Sequence, residues 1–406
     1  MMAESPGKKT LFILFAVLVA IGIFYGGFQF GYSKKAGAEP APLQFEEGIL
    51  GDVDFTLFGD AVTMLKNNYY GIKDVTDQEI LYGAIKGAVQ STGDPYTVFF
   101  PPSDAKKFEE DLSGNFGGIG AEIGMQNEQL AIVAPMKNNP AEKAGLKAGD
   151  KILKIDDTVA SGLTVDEAVK LIRGPVGTKV RFLIARDEWK EAKEVEVTRA
   201  TIIIPTLDSK IVDGDIAYIQ LYNFNGNAPS AFYDAAFSAL FQGAKGVVLD
   251  LRNDPGGYLE VAHDIAGWFL KRGDVVVREK LRSGDENLLR ANGNQAFLNL
   301  PVVVLVDGGS ASASEILAGA LQDQRGIKLV GEKTFGKGSV QEVEYLKDGS
   351  SMKVSIAEWL TPKGHEINKK GLEPDVEIKL TEENTKDGRD PQYEKAMEII
   401  KAETTK

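Results

Sequence analysis

The chain has 406 residues, more than one hydrophobic core normally organises, so two or three domains are expected. Its 43% apolar and 26% charged residues exclude a mostly disordered chain, and a net charge of −13 leaves no bulk electrostatic attraction to nucleic acid. Cysteine is absent and the only histidines are His263 and His365, which excludes disulfides, thiol nucleophiles, cysteine-ligated zinc and a histidine-rich metal site.

Leu11 to Phe30 is a charge-free run of 20 residues between Lys8-Lys9 and Lys34-Lys35. As a helix it would span about 30 Å, the thickness of a bilayer core. A cleaved signal peptide is the alternative, with Ala36-Gly37-Ala38 as a small-residue cleavage site, but signal h-regions run to only about 15 residues. Residues 1–35 are therefore expected to form a tail and single-pass membrane anchor, placing everything beyond outside the cytoplasm. Residues 36–51, rich in Gly, Ala, Pro and Glu, read as a linker. Over 52–113 the pattern is helical: Val62, Leu65 and Tyr69 share a face, as do Ile80, Ala84, Ile85 and Val89, with a break at Gly93-Asp94-Pro95.

From Gly114 to about residue 200 the composition turns to glycine and β-branched residues. Gly118-Ile119-Gly120-Ala121 leads into a strand, Gln129 to Ala134 looks like the next, and Pro140 to Asp150 forms a short helix and turn feeding Lys151 to Ile155. Thr164-x-x-Glu167 is a capping box; Val165, Ala168, Val169 and Ile172 share one helical face, and Gly174-Pro175 stops that helix. This order of elements resembles a PDZ domain. The resemblance implies that the backbone around Gly118, Ile119, Gly120 and Ala121 holds a peptide's C-terminal carboxylate while the peptide adds as a strand. The plainer alternative is a β-rich spacer whose glycines only make turns. Arg173, ending the helix, is either a contact between this module and the core or a solvated helix-end cation.

Residues 201–381 alternate apolar strands with helices, which argues an α/β layer with a largely parallel sheet, and 382–406 form a charged helical tail. Val302 to Val306 is a buried strand that Asp307 to Glu315 turns into a helix. A serine on such a turn can be exposed on a rigid support, yet Ser312-x-x-Glu315 is also a capping box, and the turn alone fits both readings. Gly336-Lys337-Gly338 follows another apolar strand. Flanking glycines allow close backbone approach, and burial lowers a lysine's pKa toward that of a working base. Arg252 to Gly257, after the strand Val247 to Leu251, could offer a backbone N–H to an oxyanion.

Gly309 to Glu315, Leu321-Gln322-Asp323, Thr334 to Gln341, Thr361 to Gly364, Gly371 to Asp375 and the early Asp94-Pro95-Tyr96 together resemble the carboxyl-terminal processing (tail-specific) proteases. Ser312 and Lys337 lie 337 − 312 = 25 positions apart, which fits that family's dyad. The resemblance implies an α/β core of the ClpP/crotonase type. It makes Ser312 the nucleophile, Lys337 the base and Gln341 a residue that orients the lysine; the amides of Gly257 and Ala313 become the oxyanion hole. It implies no cofactor or metal, and substrates that are proteins or peptides with free C-termini. Asp254 and Asp307 stand where the family often has asparagine. Ser310 and Ser314 read as turn or cap residues, Asp323 as structural, and His263 and His365 as bystanders. Burial between the glycines is the expected cause of a lowered Lys337 pKa, with no carboxylate close enough to hold its charge. The competing functions are a non-proteolytic PDZ scaffold and a small-molecule acyl enzyme of the crotonase kind; self-association is left open.

Overall fold

A computed structural model describes residues 56–405 apart from 127–128, 187, 382 and 385–386. The expected anchor Leu11 to Phe30 lies outside them; among the described residues no helix is long and apolar enough to cross a membrane. The chain divides into two units, residues 1–77 and 78–406. In the first, helix Thr56–Asn68 is followed by a short 3-10 turn, Ile72–Asp74.

In the second unit the core is a six-stranded sheet in the order Leu207–Val212, Ile216–Leu221, Gly246–Asp250, Val302–Val306, Lys328–Gly331, Val376–Glu377. The first pair is antiparallel and all the others are parallel. Every residue of Gly246–Asp250 and Val302–Val306 is buried, as expected of strands covered on both faces. Helices Ala228–Phe241, Leu259–Phe269 and Ala313–Arg325 pack on one face. The other is closed by Pro391–Thr404, whose Ala396, Met397 and Ile400 press on Val248, Val303, Leu305 and Val330. The charged tail expected over 382–406 is thus a layer of the core, because its apolar face repeats every three to four residues beneath an otherwise charged surface.

A second sheet orders Val98–Phe100, Ser351–Leu360, Val275–Leu281 and Glu286–Arg290, with Ser339–Tyr345 also pairing with Ser351–Leu360. Its first strand corrects the helical reading of 52–113. Between helices Asp77–Gln90 and Pro102–Ser113, Val98–Phe100 is extended and pairs antiparallel with Ser351–Lys353. Three residues are too few to show an alternation, and their partner lies some 250 positions away.

The module between has its own core, including Ile119, Ile132, Ile152, Ile155, Phe182 and Ile184. Its sheet runs Ala121–Gln126, Gln129–Pro135, Lys151–Ile155, Lys179–Ala185, Lys193–Thr198, with Ala121–Gln126 at an edge. Asn115–Gly118 and Ala200–Ile203 pair with each other and close the module's base. Buried Asp150 accepts Arg186 through both oxygens, at 2.6 and 2.7 Å, and the Lys147 amide at 2.8 Å, which fixes the Gly149-Asp150 turn. Helix Val165–Ile172 carries the expected capping box, and Arg199 satisfies its last carbonyls at Leu171 and Ile172.

Candidate active site

Three loops leave the carboxyl ends of three adjacent parallel strands: 251–258, 307–312 and 332–338. Asp307 Oδ1 accepts the amides of Asn253, Gly309 and Ser310 at 2.9, 2.9 and 3.1 Å. The Ser310 hydroxyl donates to the Leu251 carbonyl at 2.8 Å and the Ser314 hydroxyl to the Asp254 carbonyl at 2.9 Å, both fully buried. The two serines expected to be turn or cap residues therefore stitch the first loop to the second.

Between them Ser312 takes φ 57° and ψ −115°, a left-handed conformation costing a side-chain-bearing residue about 1–3 kcal/mol. The Ser312–Glu315 pair keeps the capping-box arrangement through the Glu315 half, Ser312 N–H to Oε2 at 3.0 Å, while the Ser312 side chain makes no capping hydrogen bond. Gly256 explains how the 254–257 turn comes so near to Ser312. A Cβ there would lie 2.6 Å from the Ala311 carbonyl and 2.8 Å from the Ala313 nitrogen, so only glycine fits. The Gly257 and Ala313 amides have no acceptor among the described residues.

Glu315 is the residue whose importance the sequence hid. It is fully buried and accepts the Thr334 hydroxyl and the Gly336, Lys337 and Ser312 amides at 2.5, 2.8, 2.9 and 3.0 Å. Burial raises its pKa, against the pull of those hydrogen bonds. Its spacing from Ser312 was visible, but a capping box gives no hint that the same carboxylate also receives a loop twenty residues on. Glycines flank Lys337 for the expected reason: a Cβ on Gly338 would lie 2.2 Å from the Asn368 nitrogen. Lys337 is half-buried, and desolvation lowers its pKa; the charge of Glu315 pulls the other way. The expectation is of no carboxylate tight enough to hold that charge, and among the described residues Lys337 makes no ion pair. Glu315 is close, but its charge is already shared among four donors.

Ser312, Ala313, Gly257, Lys337 and Gln341 line one cleft of about 800 Å³. Its other walls come from the second sheet, including Lys353 and Trp359, and from Phe108 and Asp111 of helix Pro102–Ser113. The Gln341 amide donates to the Ser339 hydroxyl and carbonyl at 2.6 and 2.7 Å, and among the described residues it makes no hydrogen bond to Lys337. Neither histidine lines the cleft. His263 Nε2 bonds the Arg290 carbonyl at 2.8 Å, and His365 is exposed. Asp323 accepts the Lys363 amide at 2.8 Å and anchors that loop. Arg173 meets Asp111 at 3.0 Å and stacks on Phe116, its carbon 3.9 Å from the ring centre, so the end of the module's helix touches a residue of the cleft wall. Among the described residues no cluster of three His, Asp or Glu side chains could hold a metal ion.

In the module, the amides of Ile119 and Gly120 have no acceptor among the described residues, although both residues are buried. Their carbonyls accept the Ala141 and Met136 amides at 2.8 and 2.9 Å, so the loop is held with those N–H groups spare. Edge strand Ala121–Gln126 and helix Val165–Ile172 lie next to it.

An α/β core with a serine on a left-handed turn at a strand end, opening on a cleft and joined to a separate β-rich module, defines a serine-type peptidase. The description "Peptidase family S41" matches residues 215–378 and "PDZ domain" matches 132–186. The carboxy-terminal processing protease CtpA of Bacillus subtilis (strain 168) is 38% identical over 375 residues, 92% of this chain and 78% of that protein. CtpB of the same organism is 36% identical over 324 residues, 79% of this chain and 66% of that protein. The chain spans 63% of the length of the staphylococcal CtpA-like relatives it also matches. Among solved structures, a photosystem II D1 C-terminal processing protease is 32% identical over 79% of this chain and 86% of that one, with a TM-score of 0.49. The chain belongs to peptidase family S41, among the carboxy-terminal processing proteases.

Proposed function

We propose that this peptidase is a membrane-anchored endopeptidase that seizes protein C-termini with its PDZ module and cleaves nearby through a Ser312–Lys337 dyad. The observation that carries the chemistry is the shared cleft: Ser312 on its left-handed turn, the spare amides of Gly257 and Ala313 beside it, and the partly desolvated Lys337 on the wall. Ser312 Oγ attacks the scissile carbonyl as its proton passes to neutral Lys337 Nζ. The Gly257 and Ala313 amides receive the oxyanion. Lys337 then gives its proton to the leaving amine, leaving an acyl-Ser312 ester. It next deprotonates a water that attacks the ester, and the proton returns to Ser312 as the acid product leaves. Gln341 reaches this cleft through its Ser339 bonds and would act on Lys337 by holding the start of the Ser339–Tyr345 strand.

The spare Ile119 and Gly120 amides support capture of a C-terminal carboxylate, and the free edge of Ala121–Gln126 supports addition of the peptide as a strand. The charge-free run Leu11 to Phe30 supports the anchor, with the catalytic unit on the extracytoplasmic side. Labelling with a fluorophosphonate and mapping the adduct tests the dyad. Ser312 should carry the label, and Ser312→Ala, Lys337→Ala and Lys337→Arg should each abolish turnover while His263→Ala and His365→Ala do not. An adduct elsewhere, or an active folded Lys337→Ala, sinks the reading. Alkaline carbonate extraction tests the anchor: a chain released to the soluble fraction would refute it.

A further inference from the structure

The Asp94-Pro95-Tyr96 run takes no part in the chemistry above, yet its tyrosine lies against Lys337. Asp94 accepts the Tyr96 amide at 3.1 Å and the Thr97 hydroxyl at 2.6 Å, a turn that fixes where the tyrosine leaves the backbone. Thr97 Oγ1 accepts the Ser355 amide at 3.1 Å, and Val98 pairs opposite Lys353. The turn is thus docked on the strand that also pairs with Ser339–Tyr345, the strand that leaves Lys337. The Tyr96 ring centre is 5.6 Å from Lys337 Nζ. Four residues on, Phe100 lies 5.8 Å from Nζ of Lys353, the other lysine of the cleft, with Phe108 at 5.4 Å. One short segment therefore sets an aromatic ring against each lysine.

We propose that Tyr96 is a positioning residue for Lys337: its ring covers the amine from outside the cleft and keeps water from it. Tyr96 does not line the cleft, so substrate need not touch it. Its hydroxyl makes no hydrogen bond among the described residues, so the ring is the working part. At 5.6 Å the ring is near the outer limit, about 6 Å, of cation–ring attraction, so its cover outweighs its pull on the charge. The charged groups acting with it are Glu315 from helix Ala313–Arg325 and Lys353 from strand Ser351–Leu360. Segment 94–100 is in this sense part of the catalytic unit.

The inference rests on Lys337 being the base. Its test uses the full chain and fluorescein-labelled casein, following kcat/KM against pH and melting temperature for Tyr96→Phe, Tyr96→Leu, Tyr96→Gln and Lys337→Ala. Tyr96→Phe should keep the wild-type profile. Tyr96→Leu and Tyr96→Gln should fall about tenfold at neutral pH, with the acidic limb moved up by about one unit so that activity returns in alkali. Tyr96 is half-buried, so both should fold; if one aggregates, the other decides. An unmoved limb, or Tyr96→Phe falling with the others, overturns the proposal while leaving the dyad intact. Lys337→Ala turning over normally would remove the base, and this inference with it.

Discussion

Glu315 Oε2 accepts the main-chain amide of Lys337 at 2.9 Å, across a sequence gap that the fold closes from one strand end to the next. Because the same oxygen takes the Ser312 amide, one carboxylate sets the distance between the two halves of the proposed dyad. Glu315→Gln keeps the shape but turns an –NH₂ toward groups that are all donors. It should cost about 3 kcal/mol of stability, as breaking a buried charged cluster does, and slow fluorophosphonate labelling of Ser312 more than tenfold. Denaturant melts and labelling kinetics check this; a variant of wild-type stability and labelling rate would disprove it.

The proposed role of Lys337 as the base sets an expected pH dependence of turnover. Burial lowers its pKa, so the neutral form needed of a base accumulates below the ordinary lysine range. Turnover should rise with pH, tenfold per unit on the acidic limb, and level off before about pH 10. A kcat/KM profile that is flat from acid to alkali would be incompatible with a lysine base.

Asp254 offers a sharper linkage test. It is fully buried beside the Gly256-Gly257 turn, Oδ1 accepts the Gly256 amide at 2.8 Å, Oδ2 has no partner among the described residues, and burial pushes its pKa up to about 8. Between its ordinary value near 3.8 and about 8, the folded chain holds a proton that the unfolded chain releases, so this group costs stability as pH rises through that window. Asp254→Asn carries no such cost. Its advantage over wild type should be least below pH 4 and grow by up to about 1.4 kcal/mol per pH unit toward 8. Melting curves at several pH values give the answer, and a gap that does not change with pH would exclude a neutral Asp254.

Arg252 binds fully buried Asp250 through Nη2 at 2.6 Å and reaches Asp390 and Gln392 at the start of the last helix, each at 3.0 Å. Arg252→Met would leave the Asp250 carboxylate with the Tyr218 hydroxyl as its main partner, at 2.6 Å. The expected loss is about 3–5 kcal/mol. Equilibrium urea unfolding measures it; a loss under 1 kcal/mol would mean the network is replaceable.

The PDZ reading is tested on the peptide. Replacing a free C-terminal carboxylate by an amide removes the charge that the Ile119 and Gly120 amides would receive, and binding should weaken at least tenfold by calorimetry. Equal affinities would reduce the module to a spacer.

Much of this arrangement was legible because chemistry and local geometry share the same residues. The serine turn, the glycine-flanked lysine and the Gly256-Gly257 turn each sit where an apolar strand stops, and strand ends can be read from composition. The PDZ element order was legible for the same reason. What could not be read was long-range pairing. Val98–Phe100 reads as part of a helical stretch until Ser351–Lys353 supplies its partner. Glu315 serves as a cap in one dimension and a clamp in three. Gln341 was placed beside Lys337 by resemblance, but the bulge between Val340 and Gln341 comes with its amide turned to Ser339.

The helix Pro391–Thr404, which closes the outer face of the six-stranded sheet, also bears on the order of events at the ribosome. Chains emerge N-terminus first, at about 5–20 residues per second. Ser312, Lys337 and all three loops are therefore made before the helix that buries Val248, Val303, Leu305 and Val330. Until it arrives, the strands that aim those loops have one apolar face in water and Arg252 lacks its Asp390 partner. The aim of all three loops thus depends on a helix that is made more than fifty residues after Lys337, and a chain stopped short of it would carry them on strands with one apolar face uncovered.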